Sequence, residues 1–216
     1  EMYYFNINLF SHELSKELNV SVSQAICDYC FLAFLCGNDF MPHLYCINIR
    51  TNGIQFIVEK YLELNGNTYP LIDTNTGNIN WSNFGQYLML LVKEESDKIL
   101  ENLKWKISLK HKIRPLNNQS KLDSLPCVDN DKEIYLYKNI ENIDSILYEK
   151  SDTDSMCKNY IEMIDWTWYY YYNHVPKNNT KYYKYNASPL LKDVVSYIPI
   201  FNNESISQVN NETPQI

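Results

Sequence analysis

The sequence predicts a mainly α-helical protein with one short turn or hairpin near residues 71–80 and one irregular linker. Apolar residues recur three and four positions apart in several stretches, the spacing that places them on one face of a helix. Residues that favour helix starts precede these stretches, and glycine or asparagine follows them. The tetrapeptide at 74–77 instead has the composition of a turn, because asparagine and glycine tolerate the backbone angles that turns require.

The first two helices are predicted between residues 3 and 36. Residues 3–18 form an amphipathic pattern, and Ser21 followed by Gln24 is typical of a capping box that opens a helix. Gly37 ends this second helix. Apolar side chains surround nearly its whole circumference, which predicts that it is buried. These side chains are Ala25, Ile26, Tyr29, Cys30, Leu32 and Phe34.

The later helices follow the same logic. A third helix is predicted over Gly53–Leu64, ended by the Asn-Gly-Asn at 65–67. Ser82 is expected to cap a long helix that continues toward Lys112, and another helix is expected to begin near Asp154. The apolar stripe of the third helix consists of Ile54, Ile57, Val58, Tyr61 and Leu62.

The chain divides into four predicted segments. Residues 1–114 form a helical segment, and residues 115–153 form a polar linker or insertion in which apolar pieces are short. Residues 154–200 form a second helical and aromatic segment. Residues 201–216 are polar and are expected to be a frayed tail.

The composition favours a folded protein that binds nucleic acid poorly by itself. Of the 216 residues, 45% are hydrophobic and 14% aromatic, which is unlike a disordered chain. The formal net charge is −7, whereas nucleic-acid binding draws much of its affinity from lysine and arginine on phosphates. If the chain belongs to a nuclease, the basic surface is therefore expected elsewhere.

The cysteine pattern predicts free thiols. Cys27 and Cys30 form a C-x-x-C within an apolar helix, but no second pair completes a zinc site. Buried reduced cysteines are expected for all six, in an intracellular protein of the cytoplasm or nucleus. No segment has the length of apolar sequence that a membrane span needs, so no membrane partner is expected.

One short string carries the main chemical signal. An apolar run ends at Gly37, and Asn38 and Asp39 follow directly. A carboxylate beside such a run is costly to bury unless hydrogen-bond donors or a cation meet it. Two interpretations stay open from the residues alone. Asp39 caps a following helix through backbone N–H groups, or it faces a metal ion.

The string Phe34–His43 resembles the Gly-Asn-Asp-Phe-Leu-Pro-His signature of the XRN family of 5′→3′ exoribonucleases, with Met41 at the leucine position. The order of features from Ser21 to Ile99 also resembles that family. A second block, residues 157–173, resembles another of its segments. The two blocks stand in the order of the family.

The resemblance implies a nuclease that degrades 5′-monophosphorylated RNA to mononucleotides. Mg²⁺, or Mn²⁺ in its place, would be held by a cluster of Asp and Glu, and Asp39 takes the position of one ligand and catalytic residue. Asn38 and His43 are candidates for orienting that ligand, with a structural role in the turn as the alternative for each. The other ligands would belong to the missing amino-terminal half of the nuclease core, so the chain alone is expected to be inactive.

Two further sets of residues have open interpretations. Asp28 lies about three helical turns before Asp39 and would share a face with it, unless it is an exposed or capping carboxylate. The aromatic run that includes Trp166 would wall an RNA channel or belong to the core. Lys181, Tyr182, Tyr183 and Tyr185 would belong to the same wall or to a solvated loop.

The chain also departs from the family pattern. Residues 179–189 lack the two tryptophans and the histidine that the corresponding stretch of the family carries. A non-catalytic helical RNA-binding or scaffold protein of the same family is therefore the alternative function. A flap-type DNA nuclease has a related aspartate turn, but no glycine-rich helix–hairpin–helix follows Asp39.

Overall fold

The computed structural model describes residues 4–109, 138–139, 153–175, 180–185 and 187–199. It confirms a mainly helical fold, and the described residues contain no β-strand. The helices are α1 (Ile7–Leu18), α2 (Val22–Ala33), α3 (Gly53–Leu64), α4 (Trp81–Val92), α5 (Glu95–Leu109), α6 (Thr153–Asn173) and α7 (Leu191–Val194). Short 3₁₀ turns lie at Phe34–Cys36, Ile49–Thr51 and Val195–Tyr197.

The predicted turn at 71–80 is a small hairpin held by one antiparallel bridge. Ile72 pairs with Ile79, and the Asp73 N–H donates to the Asn78 carbonyl at 2.9 Å. The Asp73 carboxylate accepts hydrogen bonds from the Asn75 N–H and the Thr76 hydroxyl, each at 2.9 Å. These donors favour the ionised form, led by the backbone N–H of Asn75, and they lower the pKa of Asp73.

The start of α2 confirms only part of the predicted capping box. The Ser21 hydroxyl accepts a hydrogen bond from the Gln24 N–H at 3.3 Å, as an N-cap should. The Gln24 side chain, however, does not return to the cap. Its Nε2 donates to Asp28 Oδ1 at 2.9 Å and to the Ile72 carbonyl at 2.8 Å, so it joins α2 to the hairpin.

The prediction that α2 is buried on all sides was wrong. Its core face carries Ala25, Asp28, Phe31 and Leu32, whereas Ile26 is 42% exposed on the other side. The physical reason is that neighbouring elements pack against one face only. Apolar composition alone did not reveal which positions would lie outside.

The cysteines are free thiols wherever they are described, but they are not all buried. Cys46 and Cys157 are buried, Cys27 and Cys36 are half-buried, and Cys30 is exposed on the outer face of α2. Burial raises the pKa of Cys36 to about 11, so this thiol stays protonated at neutral pH. Cys127 lies outside the described residues.

Asp28 is fully buried, which corrects the expectation of an exposed or capping carboxylate on α2. Tyr61 donates its hydroxyl to Asp28 Oδ2 at 2.5 Å, and the N–H groups of Leu71 and Ile72 donate to the same carboxylate at 3.3 and 2.9 Å. Burial raises the pKa of Asp28, while these donors and Gln24 oppose the shift. The side chain ties α2, α3 and the hairpin together and does not point to the Asp39 turn.

The single long helix predicted from Ser82 is instead two helices. Asn80, not Ser82, is the N-cap of α4, because its side chain accepts the Asn83 N–H at 3.2 Å. Helix α4 ends at Val92, and α5 starts at Glu95. The buried Glu95 carboxylate accepts the N–H groups of Leu191 and Lys192 at 2.5 and 3.0 Å and so caps α7.

Helix α6 completes the core. Its Trp168 ring meets Phe31 of α2 edge to face at 5.6 Å, and Phe31 meets Phe84 of α4 at 4.9 Å. Trp168 Nε1 also donates to the Gly77 carbonyl of the hairpin at 2.7 Å. The predicted linker and tail, residues 115–153 and 201–216, lie outside the described residues except for 138–139 and the first residue of α6.

None of the described helices is by itself long and apolar enough to cross a bilayer. The pair α1 and Val22–Cys36 meets the length and composition criteria together, with an 86° bend between its two parts.

Candidate active site

The candidate site is the turn Gly37–His43, which follows α2 and its 3₁₀ extension. Gly37 has φ +88°, a backbone conformation that side chains rarely adopt. A Cβ atom there would lie 2.9 Å from the His43 backbone nitrogen. Glycine is therefore required both for the turn angle and for the close approach of the two ends of the turn.

Asn38 holds the turn through its amide oxygen. Oδ1 accepts the N–H groups of Phe40 and Met41 at 2.9 and 3.1 Å, and the Asn38 N–H donates to the Met41 carbonyl at 3.0 Å. Because two N–H donors identify the oxygen, the other amide atom is the NH₂ group. This Nδ2 is shielded from solvent and has no hydrogen-bond partner among the described residues.

Asp39 is exposed at the top of this turn. No described residue donates a hydrogen bond to its carboxylate, and no helix begins immediately after it. The capping interpretation therefore does not hold for Asp39, since Asn38 binds the N–H groups that follow. An exposed pair of carboxylate oxygens on a rigid turn suits a hard divalent cation such as Mg²⁺.

His43 closes the other end of the turn. Its Nδ1 lies 2.9 Å from the Leu44 carbonyl, and because a carbonyl only accepts, Nδ1 carries a proton. In the neutral ring, Nε2 is then an acceptor, and in the protonated ring it is a second donor. The ring is half-buried and packs beside Gly37, so the structure gives it a definite role in the turn.

Helix α6 packs against the turn. Phe40 meets the Trp166 and Tyr170 rings edge to face at 5.0 and 5.5 Å. The Tyr160 hydroxyl donates to the Pro42 carbonyl at 3.3 Å. Sequence reasoning identified α6 as a helix but missed Tyr160 as a support of the site, because only folding brings it to residue 42.

Of the predicted wall residues, Trp166 belongs to the core. It is only 6% exposed and stacks against Tyr170 at 5.6 Å, so it offers no open face for an RNA base. Tyr182 is the most open of the set, at 65% exposure. Tyr183 packs on Tyr160 at 5.5 Å and donates to the Ala187 carbonyl at 2.8 Å, and burial raises its pKa.

The remaining wall residues lie in the same short segment. Lys181 and Tyr185 are half-buried, and Tyr185 meets Tyr183 at 5.6 Å. Because Tyr183 packs on Tyr160, and Tyr160 bonds to the Asp39 turn, the structure connects this segment to the turn through one side chain. Trp166 is buried in α6 and is not part of the exposed surface of this segment.

The described residues do not contain a complete metal site. No group of three or more His, Cys, Asp or Glu side chains is close enough to hold an ion within the described ranges. Asp39 suits one ligand position, because its oxygens accept no hydrogen bond from the described part of the chain. The described residues thus supply fewer than three ligands of this kind to any one metal centre.

The family model and the relatives that match this chain point to the same family. A family model described as the Xrn1 helical domain matches residues 19–132, more than half of the chain. The 5′-3′ exoribonuclease 2 of Saccharomyces cerevisiae is 38% identical over 63 residues, covering 26% of this chain and 6% of the relative.

Relatives from other fungi extend the matched region. The enzyme of the same name from Eremothecium gossypii is 32% identical over 103 residues, 44% of this chain and 11% of the relative. That from Chaetomium globosum is 27% identical over 129 residues, 54% of this chain and 12% of the relative. The matched regions are thus a small part of each relative's length. The chain belongs to the XRN family of 5′→3′ exoribonucleases, and its residues 19–132 match the helical domain of that family.

Proposed function

We propose that this chain is part of a 5′→3′ exoribonuclease that degrades 5′-monophosphorylated RNA to mononucleotides with Mg²⁺. The observation that carries the proposal is the exposed Asp39 carboxylate on a turn that Gly37 and Asn38 hold rigid. The relatives named above are 5′-3′ exoribonucleases, which supports the same reaction for the complete protein.

In this proposal Asp39 is one metal ligand. Mg²⁺ bound there would help to activate the attacking water and to stabilise the leaving oxygen of the phosphodiester. The turn fixes the backbone of Asp39 before the ion binds, which lowers the cost of ordering the site. Asn38 and His43 do not need to touch the ion, because their side chains already bind backbone groups that follow Asp39 in the chain.

The Asn38 Nδ2 group suits a role beside the metal. It is a buried donor without a described partner, and a buried donor costs about 1–3 kcal/mol if nothing accepts its hydrogen bond. A carboxylate from the amino-terminal half of the nuclease core, a water or a phosphate oxygen would satisfy it. Such an acceptor next to Asp39 is what an assembled site with bound RNA would provide.

The segment at 180–185 is the proposed wall for RNA. Tyr182 presents an open aromatic face, on which a base could stack for about 1–3 kcal/mol. Lys181 lies beside it in sequence, and Lys184 is exposed, so both could meet phosphates. Tyr183 and Tyr185 anchor the segment to α6 rather than face RNA.

The proposal is tested by an activity assay on 5′-monophosphorylated RNA. The complete protein should release mononucleotides in an EDTA-sensitive reaction, and Asp39→Asn should lower kcat by at least about 100-fold, the effect expected for a lost metal ligand. The chain of residues 1–216 alone should show no activity. Retained turnover in the Asp39→Asn protein would remove this residue from the site.

A non-catalytic RNA-binding or scaffold role is the second candidate, favoured by the altered stretch at 179–189 and the charge of −7. In that case the complete protein would bind RNA without degrading it, and Asp39→Asn would leave binding unchanged. A Tyr182→Ala variant should weaken RNA binding in either case, so activity and binding must be measured on the same preparations.

A further inference from the structure

A groove between α1 and α3 lies apart from the Asp39 turn. It has a volume of about 530 Å³, and none of its lining residues belongs to residues 37–43. Phe10 and Leu14 of α1 form one side, and Ile54, Val58 and Leu62 of α3 form the other. We call this surface the α1–α3 groove.

The spacing of the apolar residues in the groove suits the docking of another helix. Ile54, Val58 and Leu62 are four positions apart, so they form one continuous ridge that is about 12 Å long. Phe10 and Leu14 have the same spacing on the opposite side. Apolar side chains from two helices with a cleft between them form a surface on which an amphipathic helix can dock.

Several apolar side chains of this surface are exposed to solvent. Leu62 is 44% exposed, and Ile49, which also lines the groove, is 61% exposed. The first turn of α1 and the residues before it add further open apolar side chains. These are Tyr4, Phe5, Ile7 and Leu9. Exposed apolar side chains in such number are typical of a surface that another polypeptide covers.

The charges around the groove indicate that its partner is basic. Glu17 and Glu59 line it, and no lysine or arginine does. Glu59 accepts a hydrogen bond from Gln55 at 3.1 Å, and neither carboxylate pairs with a cation among the described residues. Two carboxylates without counter-charges would repel RNA phosphates and would attract lysine or arginine.

We propose that the α1–α3 groove binds an amphipathic helix of a partner protein, with apolar residues at i, i+4 and i+7 and basic residues on both flanks. The apolar residues would fill the cleft between the two ridges. The basic residues would pair with Glu17 and Glu59. The site is independent of the proposed nuclease function, because it shares no residue with the turn that carries Asp39.

The test uses two synthetic peptides of about 14 residues, long enough for four helical turns. One has leucines at i, i+4 and i+7 with lysines elsewhere, and the other replaces the lysines by glutamates. Fluorescence anisotropy with the protein should show binding of the leucine–lysine peptide and at least about tenfold weaker binding of the leucine–glutamate peptide.

Four variants locate the binding. Leu62→Asp and Glu59→Lys should each weaken the leucine–lysine peptide at least about fivefold. Met89→Asp, at an exposed apolar residue of α4, and Glu162→Lys, at an exposed residue of α6, make the same changes outside the groove. They should leave Kd within about twofold. Circular dichroism confirms that each variant is folded.

Three results would overturn the proposal. Equal binding of both peptides would show that charge does not select the partner. An effect of Glu162→Lys as large as that of Glu59→Lys would show that the peptide responds only to the overall charge. A scrambled peptide of the same composition that binds as well as the original would remove the role of the apolar spacing.

Discussion

Asn38 and Asp39 are neighbours in the chain, yet Asn38 binds the backbone N–H groups of the turn while Asp39 stays exposed to solvent. Under the proposed function, this division separates the structural task of Asn38 from metal binding by Asp39. The amide oxygen fixes the loop, so the carboxylate needs no hydrogen bond within the described chain to hold its place. A metal ligand that is positioned by its neighbour is ready to bind without rearrangement.

Replacing Asn38 tests this division. Asn38→Ala leaves the N–H groups of Phe40 and Met41 without their acceptor and should lower the free energy of unfolding by about 1–2 kcal/mol. Asn38→Asp keeps an oxygen acceptor and should cost less. Asp39→Ala, on the same turn, should change stability by less than about 0.5 kcal/mol. Chemical denaturation measures all three, and equal losses at both positions would contradict the account.

Gly37 should tolerate no side chain. Gly37→Ala combines a conformation reserved for glycine with a contact of 2.9 Å to the His43 backbone, so it should destabilise the protein by about 1–3 kcal/mol. Gly85→Ala is the matched control. It lies within α4, where a Cβ would meet only Ile198 Cγ2 at 3.3 Å and helix propensity favours alanine. A thermal-unfolding loss at residue 85 as large as that at residue 37 would refute the argument.

Asp28 should be important for stability but not for chemistry. Asp28→Asn places an NH₂ group where Leu71 and Tyr61 donate, leaving at least one buried donor unpaired at a cost of about 1–3 kcal/mol. Tyr61→Phe removes one donor and leaves the backbone bonds of Leu71 and Ile72, so its loss should be smaller. Denaturant titration measures the free energy of unfolding of both variants and shows which loses more. Under the proposed function, the complete protein with Asp28→Asn should also keep its RNA cleavage rate where it is folded, and a selective loss of rate would return Asp28 to the site.

The hairpin should show a defined dependence on pH. The pKa of Asp73 is lowered from 3.8, so its contribution to stability is present above that value and is lost as the pH falls through the lowered pKa. The stability difference between the protein and Asp73→Asn should therefore be largest near neutral pH and should shrink in acid. Thr76→Val removes one of the donors and should reduce this dependence without abolishing it. A difference that grows on acidification would contradict the assignment.

The sequence predicted the local features well. The bounds of α3 match the prediction of Gly53–Leu64, Ser21 is the cap of α2, and the hairpin lies where the turn residues indicated. Each of these depends on residues within a few positions of one another. The family signature likewise made Asp39 a candidate metal ligand, because its neighbours in sequence are also its neighbours in the turn; that role stays a prediction.

The tertiary partners could not be predicted in this way. Asp28 meets donors from α3 and the hairpin, more than 30 residues away, and Glu95 meets the N–H groups of α7. These distant partners satisfy two buried carboxylates, and of the two the sequence offered an interpretation only for Asp28. The support of the turn by Tyr160 has the same origin, since a helical aromatic pattern shows that a residue is buried but not what it meets.

The most direct test is a crystal structure of the complete protein soaked with Mn²⁺, which reports the ion by its anomalous scattering. The account predicts an Asp39 carboxylate oxygen within about 2.5 Å of a manganese ion, close to the distance of a hard-cation ligand. An Asp39 carboxylate bound only by peptide N–H groups and remote from every ion would contradict it.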